Sequence, residues 1–198
     1  MKKRTALIGA ILSLFPLGQP LVIKTSVFLS SAAAILSLTD KVNANDADYY
    51  YDLARYNFNE GQFKKVILNL NTSIKINPDF AAAYLARCGT RVNIGDYGEA
   101  ITDCQRAFQL NLKDSGNYID KNALYNNLCA AKSAIGEHNS ALLDCDTAII
   151  LDPKDSVSLE NRGIVKEKLG DLRGACSDWR RSSNLGNLDS RDYFRNSC

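Results

Sequence analysis

Apolar and small residues recur at helical spacing along the segment 122–155, in two stripes separated by a glycine. Spacings of three and four residues place such side chains on one face of an amphipathic helix. Gly136 breaks the pattern between the stripes, and Pro153 ends the second stripe because proline cannot continue a helix. The segment therefore predicts two helices around a turn. The first stripe contains Tyr125, Leu128, Cys129 and Lys132, and the second contains Ala141, Cys145, Ala148 and Ile149.

The same pattern occurs four times in the chain. Successive turn glycines are separated by 34, 41 and 34 residues, so one join carries seven additional residues. A fixed period in this range is typical of helical repeat arrays, in which stacked units bury a continuous core. Residues 45–198 therefore predict an all-α solenoid of about four helix-turn-helix units with a C-terminal capping helix. The turn glycines are Gly61, Gly95, Gly136 and Gly170; the units are 47–80, 81–114, 122–155 and 156–189; the additional residues are 115–121 and the cap is 189–198.

The repeat resembles the tetratricopeptide repeat, and the resemblance covers residues 47–189. The third unit matches the family's small residue, turn glycine, two alanines and proline, and four units in register make the resemblance specific. It implies an array whose first helices line a concave surface that binds a protein or peptide. The matching residues are Cys129, Gly136, Ala141, Ala148 and Pro153; the departures are Val66 and Ser73 for the alanines, His138 and Leu172 for the aromatic, and Leu112 and Asn187 for the proline.

One face of each first helix lines the predicted concave surface. This face is aromatic in the first unit, rich in asparagine in the third and acidic in the fourth. Asparagine amides can donate hydrogen bonds to an extended peptide and accept them from it, and aromatic rings can anchor apolar side chains. The pattern with which some tetratricopeptide proteins clamp a terminal carboxylate is absent. We predict that Asn126, Asn127 and Asn161 contact a partner segment; ordinary solvated surface is the alternative. The predicted groove residues are Tyr51, Arg55, Phe58, Asn59, Leu85, Asn93, Asn126, Asn127, Glu160 and Asn161.

The six cysteines form an even set whose positions match the helix pairs. In two antiparallel helices, residues equidistant from the turn lie at the same level, and their Cα atoms approach to about 4–5.5 Å. Cysteines lie eight residues on either side of the turns of the second and third units, and eleven residues on either side of the last join. This spacing predicts three disulfide bonds, and the alternative is that the cysteines are small buried residues. The predicted pairs are Cys88–Cys104, Cys129–Cys145 and Cys176–Cys198.

Residues 1–44 have the parts of a secretory signal peptide: a basic start, apolar stretches and an exit of small residues. There are two uncharged stretches, 5–23 and 25–39, and neither reaches the roughly 20 clean apolar residues of a transmembrane helix. Three explanations stay open: one long cleaved signal, a gene start placed too early, and retention of the first stretch as a membrane segment. All three predict export, with membrane association through residues 5–39 as an alternative to full release.

Short sequence motifs of the fourth unit are similar to those of exported tetratricopeptide proteins of photosynthetic bacteria. This similarity implies a periplasm or a thylakoid lumen as the compartment. It rests on Arg162-Gly163, Gly170-Asp171 and Asp178-Trp179-Arg180.

The composition provides few residues that could support catalysis. Outside residues 1–44 the chain carries 19 basic and 21 acidic residues, so it lacks the basic surface that nucleic acid requires. The chain has one histidine and no Cys-x-x-Cys motif, so we predict no metal site and no cofactor. His138 fits a packing or turn role, and the aspartates that recur at one place of the unit fit a solvated helix surface. These aspartates are Asp103, Asp144 and Asp178.

The sequence therefore predicts a non-catalytic protein–protein interaction scaffold in an exported compartment, which binds a partner segment on its concave face. The alternative is a membrane-anchored assembly or maturation factor for a membrane protein complex.

Overall fold

The computed structural model describes residues 46–113 and 118–198, and all regular structure in these residues is α-helical, which confirms the predicted all-α class. The predicted signal or membrane segment, residues 1–44, and part of the predicted insertion lie outside the described residues. Within them, no helix combines the length and the apolar character needed to cross a membrane. The helices are α1 (46–59), α2 (Phe63–Ile76), α3 (Ala81–Ile94), α4 (Tyr97–Lys113), α5 (Lys121–Ala134), α6 (His138–Leu151), α7 (Ser156–Lys168), α8 (Leu172–Asn184) and α9 (Leu188–Ser197).

The turns within the units depend on glycine. Gly95 ends α3 with a φ of 83°, a left-handed conformation that residues with a Cβ rarely adopt. Its N–H donates to the carbonyls of Arg91 and Val92, which have no partner further along the helix. Gly136 has a φ of 86° in the equivalent turn of the third unit. The regularly spaced glycines therefore mark the ends of the first helices of the units.

Small residues let the two helices of each unit pack closely. The alanines at the repeated places of α4, α6 and α8 are completely buried. Two serines take the place of an alanine. Each is buried, and its hydroxyl donates a hydrogen bond to a backbone carbonyl at the start of its own unit. Ser73 Oγ donates to the carbonyl of Ala47 at 2.8 Å, and Ser182 Oγ donates to that of Ser156 at 2.6 Å. The departure at Ser73 thus keeps the packing of the repeat.

The fourth unit is held by the packing of a tryptophan against a glycine. Trp179 of α8 is completely buried and lies directly over Gly163 of α7. A Cβ added to Gly163 would lie 2.6 Å from Trp179 Cδ1 and 2.9 Å from Cε2. The indole also stacks on Tyr193 of α9, with ring centroids 5.2 Å apart. Helix α9 therefore covers the last apolar surface of the array, as predicted for the cap.

The interpretation of the recurring aspartates as solvated surface is wrong. Asp103 and Asp178 each expose only 2% of their surface. Arg87 holds Asp103 with two hydrogen bonds of 2.8 and 2.6 Å, and Arg162 holds Asp178 with two of 2.8 and 2.7 Å. Asp144 is also buried, and its Oδ2 lies 2.6 Å from Lys132 Nζ. The aspartates are buried because a basic side chain on the first helix of the unit neutralises each of them.

The same arginines join neighbouring units. Arg87 Nη1 donates to Asn71 Oδ1 of the preceding unit at 2.6 Å, and Arg162 Nη1 donates to Asp146 Oδ1 at 2.8 Å. The third unit has Leu128 at this place, and Leu128 belongs to a core cluster shared by α3, α4 and α5. The second and third units are therefore joined by apolar packing where the other two joins use an arginine.

Three disulfide bonds connect the six cysteines in the pairs that the spacing predicts. Cys88 is bonded to Cys104, Cys129 to Cys145 and Cys176 to Cys198, with Cα–Cα distances of 5.4, 5.2 and 5.9 Å. The first two bonds each tie the helices of one unit together and are completely buried. The third ties the cap α9 to α8, and its Cys198 is exposed.

Candidate binding surface

The first helices of the units form the concave side of the array. Helix α5 contacts both α3 and α7, which are the first helices of the units before and after it. Second helices contact the first helix of the next unit, and between themselves they make few or no contacts in the described residues. Because first helices lie closer together than second helices, the stack curves towards them. The surface of α1, α3, α5 and α7 that faces away from the second helices is called the inner face below.

A cavity of about 490 Å³ opens on the inner face between α1 and α3, with α2 beneath it. Its floor is apolar, formed by the buried side chains of Val66 and Leu70. Three predicted groove residues, Arg55, Phe58 and Asn59, line the cavity and are exposed. An apolar floor with an aromatic and polar rim is suited to an apolar side chain of a partner. The lining residues are Asp52, Ala54, Arg55, Tyr56, Phe58, Asn59, Val66, Leu70, Ala86 and Thr90.

Aromatic contacts hold part of this rim in place. Phe58 packs edge-on against Phe63, with ring centroids 5.6 Å apart. Tyr51 does not line the cavity: its ring packs against Phe80 at 5.1 Å, and burial raises the pKa of its hydroxyl. Arg55 Nη1 lies 3.7 Å from Asp52 Oδ1 on the exposed side of α1. The first unit therefore offers Phe58, and not Tyr51, as its exposed aromatic anchor among the predicted residues.

The predicted residues of α3 differ in their surroundings. Leu85 packs against the core cluster that contains Leu128, which makes it partly buried. Asn93 lies at the end of α3 and is exposed. Of these two, only Asn93 presents a polar group freely to a partner.

A second cavity, of about 440 Å³, opens on the inner face between α5 and α7. Asn161 of α7 lines it, and Asn161 Nδ2 donates a hydrogen bond of 2.6 Å to Asn126 Oδ1 of α5. Asn127 points to the preceding unit, where a Cβ on Gly89 would lie 3.2 Å from Asn127 Nδ2. The structure thus brings Asn126 and Asn161 together and places Asn127 against α3. The lining residues are Ala130, Ser133, Ala134, Gly136, His138, Asn161, Ile164 and Lys168.

The cap reaches the acidic end of the inner face. Glu160 of α7 accepts a hydrogen bond of 2.6 Å from Asn187 Nδ2, and Asn187 also caps α9 by accepting from the N–H of Ser190 at 2.9 Å. Burial raises the pKa of Glu160, the bond from Asn187 lowers it, and the charge of Asp189 raises it, with a net increase above the ordinary value. Glu160 is therefore a half-buried carboxylate whose environment depends on the position of α9.

The described residues contain no cluster of three or more histidine, cysteine, aspartate or glutamate side chains placed to bind a metal ion. His138 Nδ1 is buried without a hydrogen-bond partner in the described part of the chain. The aspartates next to Cys104 and Cys145 are occupied by ion pairs, and both cysteines are in disulfide bonds. A thiol nucleophile is therefore not available at either place.

Comparison with known proteins identifies the fold of the chain. No protein-family model matches the sequence, and no curated protein matches it. Several solved structures do, and TTC0263, a thermophilic tetratricopeptide protein of Thermus thermophilus, superposes with a TM-score of 0.62 at 18% identity, over 75% of this chain and 79% of that one. The chain has the tetratricopeptide repeat fold.

Two further tetratricopeptide structures are similar to this chain. YrrB, described as a tetratricopeptide protein with an unusual peptide-binding site, superposes with a TM-score of 0.59 at 16% identity, over 79% of this chain and 83% of that one. The second tetratricopeptide domain of human RPAP3, solved with the HSP70 peptide SGPTIEEVD, superposes with a TM-score of 0.52 at 22% identity, over 64% of this chain and 98% of that one.

Sequence reasoning missed two residues of this inner face. Lys168 lines the second cavity, and Asn187 fixes Glu160 from outside the first helices. Lys168 lies at the end of α7, so the helical register alone could have placed it. Asn187 carried no such signal, because its role depends on how α9 folds back on α8.

Proposed function

We propose that this chain is an exported, non-catalytic scaffold that binds a segment of a protein partner along its inner face. The observation that carries the proposal is the contrast between the inner face and the rest of the array. The buried aspartates and arginines are paired with one another, whereas the two inner cavities present polar and aromatic side chains such as Asn59, Asn161 and Phe58. Exposed aromatic and amide groups over cavities are features of protein recognition sites.

The structural neighbours support a peptide-binding role. YrrB is described by its peptide-binding site, and the RPAP3 domain was solved with a peptide bound. The inner face of this chain is nearly neutral at its first unit and acidic only near Glu160, so its partner is not selected by a strong charge. We therefore expect a partner that contributes apolar side chains and backbone groups.

The three disulfide bonds support an oxidising compartment, because such bonds form and persist in exported proteins. The intact mass of the natively expressed protein tests this directly. A chain that begins near Asn45 and takes up six alkyl groups only after reduction would agree with export and cleavage. A full-length mass with six disulfide-bonded cysteines would favour the alternative of a membrane-anchored assembly factor, and free thiols would contradict export.

Photo-crosslinking in the native host tests the inner face as the binding surface. A benzoylphenylalanine placed at Asn59, Asn93 or Ser133 samples the first helices, and one placed at Thr102 or Leu143 samples outer positions of the second helices. We expect a discrete crosslinked partner from inner positions and none from outer positions. Crosslinking from the outer positions alone would contradict the proposal.

A further inference from the structure

Helix α1 carries an aromatic stripe on the face by which every later unit meets the unit before it. Tyr49 and Tyr56 are each 62% exposed, and Leu53 between them is partly buried; these three residues are called the aromatic stripe below. At the places of the two tyrosines, the second, third and fourth units have residues that expose at most 1% of their surface. These residues are Ala83 and Thr90, Leu124 and Ala131, and Ser158 and Val165.

A second helix covers this place in each later unit. Ala83 of α3 packs in one cluster with Val66 and Leu70 of α2. In the same way, Leu124 of α5 packs with buried residues of α4, and Val165 of α7 packs with buried residues of α6. The aromatic stripe therefore continues the interface that joins the units, and it presents a surface that fits a helix.

The opposite end of the array does not offer such a surface. Helix α9 covers that end, and Arg191, Asp192 and Arg195 of α9 are exposed. Burying charged side chains without partners is costly, so α9 is a poor place for another copy of the chain to stack end to end. A helix that covers the aromatic stripe has to come from a different surface.

Helix α6 offers an exposed stripe of the same length. Among the large apolar side chains exposed in residues 46–113 and 118–198, Leu143 and Ile150 are the only pair besides Tyr49 and Tyr56 that lies seven residues apart on one helix. Leu143 is 69% exposed and Ile150 is 78% exposed; the pair is called the aliphatic stripe below. Seven residues correspond to about 10.5 Å along a helix, so the two stripes match in length.

The architecture of the array gives the direction in which the two stripes would pack. A second helix runs antiparallel to the first helix that follows it, because only a short join connects them. The same arrangement between two copies would place the Ile150 end of the aliphatic stripe on the Tyr49 end of the aromatic stripe. Lys154, which follows α6, would then approach Asp46 and Asp48 at the start of α1, and all three residues are exposed. Opposite charges would therefore meet at this end of the contact.

We propose that the chain associates with itself, with the aliphatic stripe of one copy packed on the aromatic stripe of another. Because the contact joins two different surfaces, each copy keeps one stripe available for a further copy, and association continues into a ring or a filament. The contact does not use the two cavities of the inner face, so the proposal does not depend on peptide binding. A photo-crosslinker at Leu143 would join two copies of the chain and would capture no other protein.

Sedimentation equilibrium of the natively expressed, disulfide-intact protein at increasing concentration tests for association. We expect an average mass that rises beyond that of two chains. The contact is smaller than a standard protein interface, so the association should be weak and reversible. A mass that stays at one chain up to about 1 mM would overturn the proposal and would assign the aromatic stripe to a different protein.

Two variants and a control test the surfaces. Tyr49→Asp and Leu143→Asp each place a carboxylate in one stripe, and each variant alone should associate at least about 10-fold more weakly than the wild type. Leu188→Asp adds the same charge on α9 at a position that is also 62% exposed, and it should associate as the wild type does. An equal loss in all three variants would contradict the proposal, because the effect would then be one of net charge.

An equimolar mixture of the two stripe variants separates specific pairing from damage to the fold. Tyr49→Asp keeps the aliphatic stripe and Leu143→Asp keeps the aromatic stripe, so the mixture should form a dimer and stop there. A mixture that stays at one chain would contradict the contact between α6 and α1. Association of Leu143→Asp alone with the strength of the wild type would also overturn it, because the aromatic stripes would then pair with each other.

Discussion

Replacing Gly163 with alanine tests how closely α7 packs against α8. Helix propensity alone predicts that the change stabilises the protein by about 1 kcal/mol, because glycine is unfavourable within a helix. The structure predicts the opposite sign. The new Cβ would lie 2.6 Å from Trp179 Cδ1 and 2.9 Å from Cε2, where carbon atoms normally lie about 3.5–4.0 Å apart. The indole must therefore move by roughly 1 Å.

The movement is costly because the indole is enclosed by its neighbours. Trp179 is completely buried and stacks on Tyr193 of the cap, which the Cys176–Cys198 bond ties to α8. Overpacking of this kind costs about 1–3 kcal/mol. Taking about 3 kcal/mol here and subtracting about 1 kcal/mol of helix propensity leaves a net loss of about 2 kcal/mol, or a fall of roughly 4–8 °C in melting temperature.

Thermal unfolding followed by tryptophan fluorescence measures the effect where it arises, since Trp179 is the only tryptophan in the chain. Gly98→Ala is the matched control, because a Cβ there would have no neighbour within 4 Å. The control should be neutral or stabilised by up to about 1 kcal/mol. If Gly163→Ala melts at or above the temperature of Gly98→Ala, the packing argument is refuted.

Three further predictions concern charge and disulfide chemistry. Burial alone would raise the pKa of Asp178, but hydrogen bonds from its basic partners outweigh burial and lower this pKa. The Asp178 carboxylate therefore stabilises the folded protein above the ordinary aspartate pKa near 4, and this stabilisation is lost as the pH falls. Asp178→Asn should therefore cost about 3 kcal/mol at pH 7 and less at pH 3, measured as urea midpoints; an equal difference at both pH values would contradict this. A mild dithiol should reduce Cys176–Cys198 before the two buried disulfides, since Cys198 is exposed, and peptide mapping after alkylation should show these cysteines labelled first. Asn187→Ala removes a hydrogen bond that lowers the pKa of Glu160, so a carbon-13 NMR titration should show this pKa rising further; no change would indicate that the bond is not formed.

The sequence predicted the fold because its strongest signals are periodic. Gly95 and Gly136 mark helix ends through their positive φ, and Ser73 keeps the role of an alanine by hydrogen bonding to its own unit. The capping helix followed from the polar residues beyond the fourth unit. All of these depend on local spacing, which is visible in a single chain.

The buried aspartates were misinterpreted although a signal was present. Arg87 precedes Asp103 by 16 residues, the same separation as that of Cys88 and Cys104. The argument that places those cysteines at one level therefore also places the arginine beside the aspartate. Their recurrence at one place of the unit suggested a solvated helix surface, whereas pairing with a basic side chain across the turn is what buries them.

The inner face could be predicted only in outline. Helical register put Tyr51 and Asn161 on the same face, but it could not show that Tyr51 packs on Phe80 while Asn161 borders an open cavity. The two side chains differ in which residues of the rest of the array lie beside them, and helical register does not give these neighbours. Asn187 could not be found at all, because its contact with Glu160 depends on the fold of the cap.

NMR mapping of a dodecapeptide, selected from a random display library against the disulfide-intact protein, tests the central claim most directly. The isotope-labelled, disulfide-intact protein is titrated with the peptide, and changes are followed in backbone and asparagine side-chain amide signals. We predict changes along the inner faces of α1, α3, α5 and α7, including the side chains of Asn126 and Asn161. Changes confined to the exposed faces of α2, α4, α6 and α8 would contradict binding on the inner face.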